Sequence, residues 1–105
     1  MPARIGKDEF ASEVLGSEIP VLADFYSDSC VPCKRMSPIL SKLETEYEGR
    51  VKVVKVNANF EPELAEEYGV QSAPTFIFFN QGKEAGRITG AVKKEELTAV
   101  IEKLI

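Results

Sequence analysis

Apolar residues recur along this chain at two spacings, and the switches between them outline its elements. Between Gly6 and Gly16, Phe10 and Val14 stand four apart, the separation of neighbours on one helical face. Residues 20–26 (PVLADFY) form a short apolar run between Pro20 and Ser27-Asp28-Ser29, which predicts a strand. From about residue 32 to 48 the spacing returns to three and four, with Met36, Ile39, Leu40, Leu43 and Tyr47 marking a helix that Gly49 ends. Pro38 inside it removes a backbone donor and should kink it. Residues 51–57 (VKVVKVN) predict a second strand, residues 61–68 a short helix closed by Gly69, and residues 75–79 (TFIFF) a third strand. A turn at Asn80-Gln81-Gly82-Lys83 leads into residues 85–89, read as its hairpin partner. Leu97, Val100, Ile101 and Leu104 then share one face of a closing amphipathic helix. Strands separated by helices, then a hairpin and a last helix, predict an α/β arrangement with a mixed sheet covered on both faces. No repeat or linker-like run interrupts it, so residues 1–105 read as one domain.

Composition narrows the function more by exclusion than by suggestion. With 17 acidic against 13 basic residues the net charge is −4, so nothing draws the chain to nucleic acid or anionic lipid. No apolar stretch approaches the roughly 20 residues of a membrane span. The opening Met1-Pro2-Ala3-Arg4-Ile5-Gly6-Lys7-Asp8 lacks the apolar segment of a secretory signal, and the expected location is the cytoplasm. The chain has no His, which removes Ser-His-Asp and Cys-His catalysis and most zinc enzyme sites. A Cys₄ site shared by two chains is the one metal reading left, and no metal is expected.

The only two cysteines lie in Cys30-Val31-Pro32-Cys33. Two thiols three positions apart on a helical turn can close into a disulfide and open again. Pro32, with a helical pattern after it, puts Cys30 at a helix start, where unpaired N–H groups and the helix dipole favour a thiolate. A thiolate is the form that attacks disulfides. A purely structural bridge is the plainer alternative, but so small a ring contributes only about 2 kcal/mol through loop closure, less than a bridge between distant segments. A second alternative is that both are merely buried small apolar residues. On the redox reading Cys30 is the exposed nucleophile, with Lys34 close by, and Cys33, one turn inward, is the resolving thiol. Asp24 is a lone acid inside the apolar run 20–26; burial there would raise its pKa and make it competent to relay a proton near neutrality. A strand-edge carboxylate reaching water is the alternative.

Four separated pieces now match one family in order and spacing: Ala23-Asp24-Phe25-Tyr26 feeding Cys30-Val31-Pro32-Cys33-Lys34; Pro38-Ile39-Leu40; Ala73-Pro74-Thr75; and Gly90-Ala91. Over nearly its whole length the chain resembles the thioredoxins, themselves a reference case for a lowered cysteine pKa in a CxxC motif. The resemblance implies a central mixed sheet of about five strands flanked by about four helices, and protein-disulfide reduction with Cys30–Cys33 as an internal redox-active disulfide and no other cofactor. It implies that Pro74 follows a cis peptide bond and faces the redox pair, and that Asp24 assists Cys33 with Lys55 as its basic partner. Substrate binding would fall to Ser29, Val31, Pro32, Ala73, Pro74, Gly90 and Ala91. Implied partners are disulfide-containing proteins and thioredoxin reductase or another electron donor, since no GxGxxG signature for a nucleotide cofactor is present. A monomer is expected, because the redox face must stay open.

The chain departs from the usual Trp-Cys-Gly-Pro-Cys at two positions, with Ser29 for the Trp and Val31 for the Gly, and it contains no Trp. These changes alter the docking surface around Cys30, so an unusual electron donor is in prospect. Two other functions compete: a peptide-binding or chaperone module without turnover, and a disulfide isomerase or glutathione-linked oxidoreductase.

Overall fold

Five strands hydrogen-bond into one sheet in the computed structural model, which describes residues 2–105. They are β1 (Ala3–Arg4), β2 (Val21–Tyr26), β3 (Lys52–Asn57), β4 (Thr75–Asn80) and β5 (Lys83–Thr89), in spatial order β1-β3-β2-β4-β5. The pairs β1–β3 and β3–β2 are parallel, whereas β2–β4 and β4–β5 are antiparallel, so the sheet is mixed. Four helical segments cover it: α1 (Lys7–Phe10, continued by a π-helical turn Ala11–Leu15), α2 (Val31–Glu46), α3 (Pro62–Glu67) and α4 (Lys94–Leu104).

The central position of β2 explains why its run is apolar throughout: all six residues are buried. Side chains alternate across a sheet. Val21, Ala23 and Phe25 therefore pack with Phe10 and Val14 of α1 and Leu64 of α3. Leu22 packs on the other face, with Met36, Leu40 and Leu43 of α2 and Leu97 and Ile101 of α4. Asp24 follows the parity of Leu22 and so belongs to the face that α2 covers. On the first face Phe10, Phe25, Tyr68 and Phe79 form an aromatic cluster with centroids 5.3–6.5 Å apart. On the second, Tyr47 Oη donates to the Glu102 carboxylate at 2.7 Å and helps tie the end of α2 to α4.

The elements expected from the apolar spacing are present, with two differences. Strand β1 was not foreseen; it is only two residues long, both exposed, and exists through its pairing with β3. Strand β5 begins at Lys83, because Gln81 (φ 53) and Gly82 (φ 81) alone make the turn, a two-residue arrangement with both φ positive. Helix α2 runs on through Pro38, which lies on its exposed side, where only one backbone bond is forgone.

Candidate functional site

The register of the sheet gathers the candidate residues at one end. Thr75 stands opposite Phe25 on one side and opposite Thr89 on the other. The segment after β2, the segment before β4 and the segment after β5 therefore emerge together. Those segments hold Ser27 to Cys33, Ala73-Pro74 and Gly90-Ala91. The Ala73–Pro74 bond is cis, as the resemblance implied, and Gly90 donates its N–H to the Pro74 carbonyl at 2.8 Å. Pro74 is buried, Ala73 and Gly90 are half-buried, and Ala91 is exposed.

Helix α2 begins within this cluster. Cys30 is its N-cap in extended conformation, and Pro32 sits in the first turn, where a missing N–H costs nothing. Cys30 and Cys33 are joined in a disulfide with Cα atoms 5.2 Å apart. The two sulfurs are not equivalent. Cys30 is half-exposed while Cys33 is 5% exposed, and the Cys33 N–H donates to Cys30 Sγ at 3.1 Å. A backbone donor and the positive end of a sixteen-residue helix thus converge on one sulfur, the arrangement that favours its thiolate once the bond opens. Ser29 and Val31 flank it in the open.

Beneath α2 lies Asp24, 1% exposed, with neither carboxylate oxygen hydrogen-bonded to another group. Burial pushes its pKa from 3.8 up to about 7, against a smaller opposing pull from Lys55. Lys55 is its register neighbour on β3. The lysine does not close on the carboxylate; its Nζ rests over the Tyr26 ring, 4.6 Å from the centroid. Lys55, Tyr26 and Cys33 line one cavity of about 330 Å³ with Arg4, Lys34, Ser37 and a single acid, Asp28. The inner cysteine thus borders a recess in which three cations outnumber one carboxylate.

Three features of this end escaped the sequence reading. Arg4 approaches Tyr26 from β1, 5.8 Å from its centroid. Asn57 bonds to Asp28 in the redox loop. Phe60 stands exposed on the turn after β3. A short strand, a polar residue ending a strand and one aromatic in a loop carry no pattern that announces such roles.

The thioredoxin family model matches residues 2–103. The chain belongs to the thioredoxin family. Among thioredoxins it is 40% identical to thioredoxin 1 of Nostoc sp. over 101 residues, covering 96% of this chain and 94% of that one. It is 38% identical to the thioredoxin of Synechocystis sp. over 102 residues, covering 97% and 95%. It is also 42% identical to the chloroplastic M-type thioredoxin of Pisum sativum over 92 residues, which cover 88% of this chain and 54% of the relative. With a thioredoxin fold and a CxxC disulfide at the head of α2, the chain is a thiol–disulfide oxidoreductase acting on protein disulfides.

Proposed function

We propose that the protein works as a reductase and electron carrier, with Cys30 attacking and Cys33 resolving. The observation that carries this reading is the asymmetry of the pair: one sulfur half-exposed and backed by an N–H and a helix N-terminus, the other buried beneath it. The Cys30 thiolate attacks one sulfur of a substrate disulfide, forming a mixed disulfide and expelling the other substrate sulfur as a thiolate. Cys33 then attacks Cys30 Sγ, closing the ring and releasing the substrate dithiol. Two electrons pass to the substrate, and the protons on the product thiols replace those given up by the pair. Asp24, with a pKa near 7, takes the Cys33 proton near neutrality, and Lys55 tunes it through space.

Around this chemistry Ser29, Val31, Pro32, Ala73, Pro74, Gly90 and Ala91 form the surface on which a substrate strand lies. A partner reductase restores the dithiol, and the Cys30–Cys33 disulfide is the sole redox group the cycle needs. The protein acts as a monomer in the cytoplasm, in electron transport and thiol homeostasis. The pea relative carries a chloroplastic name, and among the described residues no helix is long and apolar enough to cross a membrane. The cytoplasm is preferred because a reductase works where thiols are kept reduced.

The test is to incubate reduced Cys33→Ser protein with an oxidised protein substrate. A persistent mixed disulfide through Cys30, found by non-reducing electrophoresis and peptide mass, is expected. A stable adduct through Cys33 in the Cys30→Ser variant, with none in Cys33→Ser, would reverse the roles.

A further inference from the structure

Among the described residues three large apolar side chains are exposed: Val31 at 57%, Phe60 at 73% and the terminal Ile105 at 47%. Val31 lies between the cysteines. Phe60 lies in the turn between β3 and α3, outside every position assigned to the site above. A phenyl ring held in water gives up transfer free energy that burial against a partner recovers.

The turn that carries Phe60 is tied to the redox loop by a specific device. Asn57, 9% exposed at the end of β3, accepts through Oδ1 from the N–H groups of Asn59 at 2.9 Å and Phe60 at 3.3 Å. Its Nδ2 donates to Asp28 Oδ2 at 3.1 Å, and the next residue, Ala58, donates its N–H to the Tyr26 carbonyl at 2.8 Å. One side chain thus fastens the Phe60 turn to the loop that carries Cys30. Phe60 and Asp28 line a common cavity of about 370 Å³. Ala58 and Asn59 line a second, about 560 Å³, that reaches from Ser27 to Ala73.

We propose that Phe60 is the apolar anchor for the oxidised protein substrate. The occupant is an extended segment bearing the disulfide, with an apolar residue a few positions from its cysteine. This rests on Cys30 being the attacking thiol. A substrate sulfur must meet Cys30 Sγ, and each extended residue spans about 3.3 Å, so the neighbouring residues fall on the loops bordering Cys30. Ser29 offers no aromatic contact there; Phe60 supplies one from the adjoining turn, which Asn57 fastens to Asp28 of the redox loop. The anchor determines which substrates are gripped and leaves the sulfur chemistry alone.

Insulin serves as the protein disulfide, with dithiothreitol re-reducing the Cys30–Cys33 pair after each turnover, and dithiobis(nitrobenzoate), mixed with pre-reduced protein, serves as a small disulfide that carries no peptide segment. Phe60→Ser is expected to raise KM for insulin about tenfold, roughly 1.4 kcal/mol, with kcat unchanged. Its rate with the small disulfide and its melting temperature stay at wild-type values, and Phe60→Leu retains most of the affinity. Unchanged insulin kinetics in Phe60→Ser overturn the anchor, as does equal slowing on both substrates, which would mean a disturbed redox loop. A dimer that sedimentation shows to dissociate in Phe60→Ser would assign the ring to a second copy and also overturn it. Wild-type protein that reduces the small disulfide but not insulin would instead overturn the reductase reading beneath the proposal.

Discussion

Asp24→Asn should make this protein more stable at neutral and alkaline pH, by an amount that the burial of one carboxyl sets. The side chain is 1% exposed and neither oxygen has a hydrogen-bond partner, so ionising it in the folded state forgoes hydration with little in return. In the unfolded chain the same group ionises normally. Its folded pKa is raised from 3.8 to about 7. Between those values the native state holds the proton more often than the unfolded state, so stability falls as pH rises. Below the lower value both states are protonated and the penalty vanishes; above the higher one it is complete. At about 1.4 kcal/mol per pH unit the full penalty is about 4 kcal/mol. The assay is urea denaturation of the oxidised protein at intervals from pH 4 to pH 9, wild type beside Asp24→Asn. The variant lacks the titration, so the two curves should start close at pH 4 and separate until about pH 8. With a urea m-value near 1–2 kcal/mol/M the midpoints would then differ by roughly 2–4 M. The same variant should lose the near-neutral inflection in the rate of disulfide reduction if Asp24 takes the Cys33 proton. Parallel stability curves across the whole range would refute the reasoning, because they would mean that Asp24 ionises as easily folded as unfolded.

Two further predictions concern the surroundings of the redox pair. Lys55 pulls the Asp24 pKa down, so Lys55→Gln should move the pH-dependent fall in stability to higher pH, measured by the same titration; a shift to lower pH would contradict the register-neighbour assignment. Gly90 has φ +93 and open space where a Cβ would stand, so Gly90→Ala meets no clash and loses only the backbone term. That term is about 1–2 kcal/mol for a side-chain-bearing residue in the left-handed region, or roughly 5–15 °C in the melting temperature of a domain this size. A melt within a degree or two of wild type would count against the conformation assigned to Gly90.

Much of this molecule is legible in its residues because the relevant forces act over short stretches of chain. Helical and strand periods are local, and so Met36-Leu40-Leu43 and the apolar run at 75–79 announced α2 and β4 unaided. The redox pair is also local: two thiols on one turn, with a proline where a helix starts. Asp24 stood out because a carboxylate inside an apolar strand has to be reconciled with burial. The cis bond before Pro74 came from the match to a family, since the residues alone permit a trans proline at a strand start.

What no local pattern could supply is the meeting of distant segments. Strand β1 has two exposed residues and no apolar signature, and only the edge of β3 makes it a strand. Lys55 alternates within β3 like any solvent-facing lysine until the strand order places it beside Asp24 and over Tyr26. Asn57 and Asp28 are 29 residues apart in the chain, and their bond exists because β2 and β3 end together. Phe60 acquires significance by the same route, from the turn that this bond holds. Periodicity depends on each residue and its near neighbours, so sequence alone determined the reactive pair and every element except β1. Proximity across the sheet depends on strand order and register, and only the tertiary structure decided those.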